Sequence, residues 1–167
     1  LVGVYASTDE NIRKEQWKTL EQKKRDWGEY WVLVGDFNDI RSGEEKWGGR
    51  RRHESSFKEF NRFIKENELV DLGFEGKPWT WCNQWEGEGE VKERLDRGLA
   101  SIKWYHMFAR ASCSHVENEA SDHSALVIDI NPNQRKVKRR FYFDQRWAKM
   151  EETKGVVERA WGLEHKG

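Results

Sequence analysis

Cysteine is scarce in this chain: two residues in 167, Cys82 and Cys113. They have neither the close pairing of a zinc site nor the dense spacing of a disulfide scaffold. Both are expected to be buried free thiols of a reducing compartment. Long apolar runs are missing too. No segment reaches the length of a membrane span, and no signal peptide opens the chain. A nuclear or cytoplasmic protein, neither secreted nor membrane-bound, is expected. Net charge is also lacking, since 30 basic and 30 acidic side chains cancel, which removes any global pull toward nucleic acid. The distribution is uneven, however. Residues 1–130 carry five more acidic than basic side chains, and residues 131–167 five more basic than acidic. There is no internal repeat and no initiator methionine. Because "LVGVYAS" already reads as a strand, a truncated domain is expected.

Apolar and charged residues each make up 36% of the chain, which suits one domain with a sizeable core beneath a solvated surface. Ten tryptophans are unusual at this length. They can fill a core, and they also stack well on sugars and bases. The basic run "RKVKRR" (135–140) reads first as a solvated linker, with phosphate binding or nuclear import as lesser readings.

Hydrophobic periodicity orders the rest. "LVGVY" (1–5) is a strand, and Ser7 stands three residues before Glu10 in capping-box spacing. Ile12, Trp17, Leu20 and Trp27 then mark one face of a helix that Gly28 ends. "YWVLVGD" (30–36) is the next strand, followed by a loop with "WGGRRR" (47–52). Ser56 and Glu59 repeat the capping spacing before a helix whose apolar face is Phe57, Phe60, Phe63 and Ile64, ending near Asn67. Short strands follow at 69–74, 78–83 and 93–100, with "EGEGE" (86–90) as a hairpin tip. Residues 101–109 suggest a short helix, 111–116 a strand, and 121–130 a strand closed by Asn131-Pro132. The pattern predicts an α/β (α+β) layered domain over 1–130, a basic linker over 131–143 and a helical appendage over 144–167.

The chemistry begins with "VLVGDFNDI" (32–40), an aliphatic strand that exits into Asp36, Asn38 and Asp39. Strand alternation sets Asp36 and Asn38 on one side and Phe37 on the other. Asp36 can take a proton from water while Asn38 orients it; the same residues also suit an ordinary turn. "SDH" (121–123) adds Asp122, a hard-cation ligand by type, and His123, a cation for a phosphate oxygen. Asp96, in "RLDR", can accept the other imidazole N–H. Singly, each also fits a capped strand, a satisfied histidine or a surface acid.

Taken together, "VYAS", "GDFND", "DLGFEGKPWTWCN", "ERLDRGLAS" and "SDHSAL" resemble the endonuclease/exonuclease/phosphatase superfamily. The likeness is greatest to the apurinic-type endonuclease domain of plant LINE-type (non-LTR) retrotransposons, and it runs from Leu1 to about Ile130. Residues 139–161 resemble the segment leading to a reverse transcriptase in such elements. The resemblance implies the C-terminal half of a four-layered α/β sandwich of the DNase I-like type, acting as a Mg²⁺-dependent DNA endonuclease. Asp36 would be the general base or water-positioning acid, Asn38 its partner at the phosphate, and Tyr5 a phosphate contact. Asp122 would hold the metal or its water, His123 would stabilise phosphate charge, and Asp96 would orient His123.

The hairpin bearing Trp79, Thr80 and Trp81 would reach the DNA minor groove and shape target choice; Trp81 is equally readable as core. Arg50, Arg51 and Arg52 would clamp backbone phosphates. Ser7 and Thr8 depart from the family's proline and asparagine, which affects one phosphate contact. The family's metal-binding glutamate belongs to a first half not represented here. Glu10 and Glu29, in or beside a helix, do not replace it, so Mg²⁺ binding should be weak. A truncated, weakly active or inactive hydrolase is therefore expected, the alternative being a non-catalytic remnant with at most weak nucleic-acid binding. A sphingomyelin- or inositol-phosphate-cleaving relative is a lesser reading.

Overall fold

A computed structural model describes residues 1–132 and 151–161. The chain divides into two units, Leu1–Asn133 and Gln134–Gly167. In the second, a helix spans Glu151–Trp161 (α4); the basic run at 135–140 lies outside the described residues.

The first unit is built around a mixed sheet of strands β1 (Val2–Tyr5), β2 (Val32–Asp36), β4 (Leu69–Asp71) and β7 (Asp96–Ser101), in the order β1-β2-β7-β4. β1 runs parallel to β2, and β7 runs antiparallel to both β2 and β4. Parallel pairing of β1 and β2 requires a crossover, which helix α1 (Glu10–Trp27) supplies. α1 and helix α2 (Lys58–Glu66) provide the apolar side chains of one face. There Trp17, Leu33, Phe37, Phe60, Phe63 and Leu99 form the principal core. Trp17 stacks on Phe60 and Phe63 with ring centroids 5.4 and 4.9 Å away.

Val32, Ala100 and Trp104 centre a second apolar cluster. Trp104 comes from helix α3 (Ile102–Met107), and Ile128 packs against the cluster. Ile128 belongs to β9 (Ala125–Asp129), which pairs antiparallel with β8 (Ser112–Val116). A small third sheet joins β3 (Lys46–Trp47), β6 (Lys92–Glu93) and β5 (Trp81–Cys82).

Several local expectations shift for identifiable reasons. The α1 cap is Asp9, whose carboxylate accepts from the amides of Asn11 and Ile12, while the Ser7 hydroxyl accepts from the Asp9 amide. Ile12 is exposed and Arg13 is buried instead, because Arg13 pairs with Asp39 at 3.3 Å and donates to the Ser7 and Thr8 carbonyls. A 3-10 turn over Glu54–Phe57, capped by His53, precedes α2, so Ser56 is not its cap; Phe57, Phe60, Phe63 and Ile64 are all buried as the spacing predicts. The strand expected over 93–100 is broken at Arg94–Leu95, where the chain passes from one sheet to another. Both cysteines are free thiols, Cys113 buried and Cys82 partly so.

The break is held by charge. Fully buried Arg97 pairs with Glu45 at 2.7 Å and Asp71 at 3.0 Å, and Arg94 pairs with the same acids at 3.1 and 2.7 Å. Burial alone would raise both carboxyls, but the guanidiniums hold them below the usual range. Paired burial of this kind is tolerable where an unpaired charge is not. Phe60 lies under Arg97, 5.3 Å from its guanidinium carbon, so the aromatic core and the ion-pair network share a wall. Phe60→Ala should lower unfolding free energy by about 3–5 kcal/mol in urea titration, the range for large aromatic truncations in a packed core; a loss under about 1 kcal/mol would show the site collapses freely.

Candidate active site

At the exit of β2, Gly35 has φ 140°, and a Cβ there would stand 2.1 Å from the Val4 carbonyl oxygen. Only glycine lets β1 approach so closely. That approach sets the register in which Tyr5 lies opposite Asp36, and Asp36 in turn lies opposite Asp96. Paired residues project from the same face of a sheet. Tyr5, Asp36 and Asp96 therefore form one row across three strands.

After Asp36 the strand stops. Phe37 goes into the core, 5.5 Å from Phe60, and Asn38 adopts φ 47°, a left-handed conformation that asparagine tolerates better than most residues. The juxtaposition of Asp36 and Asn38 thus comes from a turn rather than strand alternation. The Asn38 main-chain N–H donates to Asp36 Oδ1 at 2.7 Å, and its Nδ2 donates to Asp36 Oδ2 and the Ala6 carbonyl, each at 2.8 Å. Both side-chain hydrogens are thereby engaged, which leaves Oδ1 of Asn38 as the atom able to accept from water.

Asp96 Oδ2 lies 2.9 Å from Nδ1 of His123. Asp36 and Asp96 are each 7% exposed. Burial, followed by the facing Asp96 charge, raises the Asp36 carboxyl above its ordinary range, against the Asn38 amide that stabilises the ionised form. Asp36, Asn38, Asp96 and His123 are thus brought together, with Tyr5 beside them, 82% exposed.

The remaining predicted residues sit differently. Asp122 Oδ2 accepts from the Trp81 indole at 3.0 Å. Trp81 also bridges to His123 through the backbone, so it is anchored to the site loop rather than free to act as a wedge. Trp79 lies 6.5 Å from Trp47, with the Lys92 ammonium over both rings. A cavity of about 550 Å³ opens beside His123 and Asp122, lined by Trp79, Trp81, Lys77 and Lys92. Thr80 is 1% exposed, and its hydroxyl accepts from the Leu95 and Asp96 amides. It therefore presents no surface to DNA, contrary to the expectation for the hairpin. Arg50 and Arg51 are exposed. Arg52 pairs with Asp39 at 2.8 Å.

Asp39 is the residue that the sequence leaves ambiguous. It is buried between Arg13 and Arg52, so the acid-rich exit of β2 splits into one site carboxylate and one structural one. The two arginines gave the signal, but nothing in their spacing ties them to Asp39 rather than to a phosphate.

The expected Mg²⁺ would need several of these donors to converge. Among the described residues no group of three or more His, Cys, Asp or Glu side chains could hold a metal ion. Asp122, the expected ligand, is already engaged by Trp81. These residues do not by themselves fit a Mg²⁺ cage, which needs several convergent oxygens.

No family model matches the chain, and no curated protein matches it. Among solved structures it is similar to the "Endonuclease domain of TRAS1, a telomere-specific non-LTR retrotransposon", with TM-score 0.59 and 20% identity. The similarity covers 78% of this chain and 56% of that one, so the chain spans little more than half of that domain. At this identity the likeness is one of fold: a mixed α/β architecture of the DNase I-like endonuclease kind. No helix among the described residues is long and apolar enough to cross a membrane.

The raised Asp36 value belongs to the folded state, so the folded chain holds that proton more tightly than the unfolded chain. This group favours folding at acid pH, and the advantage is lost as pH rises through the folded value. Side-chain carboxyl ¹³C NMR should show Asp36 titrating above the ordinary aspartate value of about 3.9. Asp96→Asn should move it down only part of the way, since burial is the larger cause. An unshifted Asp36, or complete reversion in Asp96→Asn, would contradict this electrostatic picture.

Proposed function

We propose that the chain is part of a phosphodiester hydrolase, a DNA endonuclease of retrotransposon origin related to the plant LINE type. It would act in this form weakly or not at all. The observation that carries the reading is the Asp36–Asn38 pair set in one row with the Asp96–His123 pair. Asp36 accepts a proton from a water oriented by the Asn38 carbonyl, and a raised carboxyl value suits a base working nearer neutrality. The water oxygen bonds to phosphorus while the bond to the leaving oxygen breaks, and that oxygen takes a proton from solvent. His123, held by Asp96 through Nδ1, directs Nε2 toward the developing negative charge. Tyr5 contacts a phosphate oxygen from the exposed end of the row.

Mg²⁺ is the cofactor this class implies, and no step is assigned to it because the described donors do not form its cage. Asp122, through the oxygen that Trp81 leaves free, would be one ligand of a set that needs a further carboxylate from the rest of the domain. The chain covers 56% of the TRAS1 endonuclease domain, which fits a reading in which the rest of such a domain supplies that carboxylate. DNA is the proposed substrate, met by Trp79, Trp81, Arg50 and Arg51 around the cavity and the neighbouring loop. A reverse transcriptase domain would be the chain's partner in a full-length element. A non-catalytic remnant is the competing reading, favoured by the missing metal cage.

The test is nicking of supercoiled plasmid in Mg²⁺. The chain alone should nick slowly or not at all. A version carrying a restored N-terminal half should nick robustly, and Asp36→Ala or His123→Ala should each lower that rate at least about 100-fold. Full activity in Asp36→Ala would refute the assignment. Inactivity of the restored domain would favour the remnant.

A further inference from the structure

Thr80 is buried between the two segments that carry Asp96 and His123, and it bonds to both. Its hydroxyl oxygen accepts from the Leu95 amide at 3.0 Å and the Asp96 amide at 2.9 Å. Its own amide donates to the Glu93 carbonyl at 3.0 Å, and its carbonyl accepts from the Ser124 amide at 2.7 Å. Ser124 immediately follows His123. One residue thus ties the start of β7 to the loop after His123.

The reason lies in the break at Arg94–Leu95. Where the chain leaves β6 for β7, the Leu95 and Asp96 amides are buried and take their partner from a side chain rather than from a strand carbonyl. A buried N–H without a partner is rare in folded proteins. The Thr80 hydroxyl supplies an acceptor for two of them at once. Its β-branched side chain has few rotamers, so the oxygen is held in place. The neighbouring strand residues reinforce the link: Trp81 bridges to His123, and the Cys82 amide donates to the Asp122 carbonyl.

We propose that Thr80 is a positioning residue that fixes Asp96 relative to His123 and so keeps the imidazole–carboxylate hydrogen bond in register. The proposal rests on reading Asp96 and His123 as parts of one hydrolytic site, but its test does not require hydrolysis. Thr80 itself touches no substrate, being enclosed. Its hydroxyl sets the backbone from which Asp96 projects, and its carbonyl sets the loop from which His123 projects.

The experiment is ¹⁵N NMR of the full chain, following the His123 Nδ1–H that bonds to Asp96. In the unaltered protein this proton should be observable and protected from exchange with water. Thr80→Val, which keeps the shape and loses the acceptor, should speed its exchange at least about tenfold, while the Trp17 and Trp104 indole signals stay in place. Thr80→Ser, which keeps the hydroxyl, should restore protection to within about twofold. If Thr80→Val does not fold, Thr80→Ala is read in the same way.

A protected Nδ1–H in Thr80→Val or Thr80→Ala overturns the proposal. So does failure of Thr80→Ser to restore it, or its absence in the unaltered protein. Loss of the Trp17 and Trp104 signals in both hydroxyl-free variants would also overturn it, by making Thr80 a residue of general stability. Plasmid nicking measured in parallel separates the two claims. Inactivity of a restored domain in every form sinks the nuclease reading while the NMR result still decides the role of Thr80.

Discussion

Two carboxylates, Asp36 and Asp96, face each other across paired strands β2 and β7 with little exposure to water. Like charges directly opposite in a sheet repel, and burial strengthens the repulsion. The surrounding structure offsets this cost. Asn38 gives both oxygens of Asp36 a donor, and His123 engages Asp96 from the other side. The left-handed turn at Asn38, the close approach at Gly35 and the hydroxyl of Thr80 all serve to hold that arrangement. A proton-hungry carboxylate next to an imidazole is the kind of perturbed pair that marks functional sites.

Acids elsewhere in the first unit are treated in the opposite way. Asp39, Asp71 and Glu45 are each met by two or more arginines, and the shifts at Asp71 and Glu45 run downward. The acidic side chains thus divide into neutralised struts and, at Asp36, a carboxylate whose ionised form is disfavoured. The division is physical: a guanidinium beside a carboxylate stabilises its ionised form, and a second carboxylate does not. Arg13 and Arg52 close the loops around the site while taking no place in the row itself.

The helices and the buried strands were legible because period and composition carry them. The apolar face of α2 and the core strand β2 were readable at residue level. The Asp36, Asn38, Asp96 and His123 grouping was legible only because several weak motifs occur together; none of them fixes a distance. What could not be read depends on partners distant in sequence. Ser7 looked like a cap, yet Asp9 fills that position, since both have suitable oxygens and only the chain path chooses. Thr80 looked like an outward reader beside two tryptophans, but the sheet change at Arg94–Leu95 turned its hydroxyl inward. Asp39 could not be separated from Asp36 without knowing that Arg13 is buried.

The central claim is that Asp36 and Asp96 repel one another in the folded chain. A double-mutant cycle on unfolding free energy, with Asp36→Asn, Asp96→Asn and both together, isolates that coupling from the separate effects of each change. At neutral pH the repulsion should emerge as a coupling of at least about 0.5 kcal/mol, the second substitution stabilising less than the first, and it should fade where both carboxyls are protonated. A coupling of zero, or one of attractive sign, would mean that the two carboxylates do not share a site.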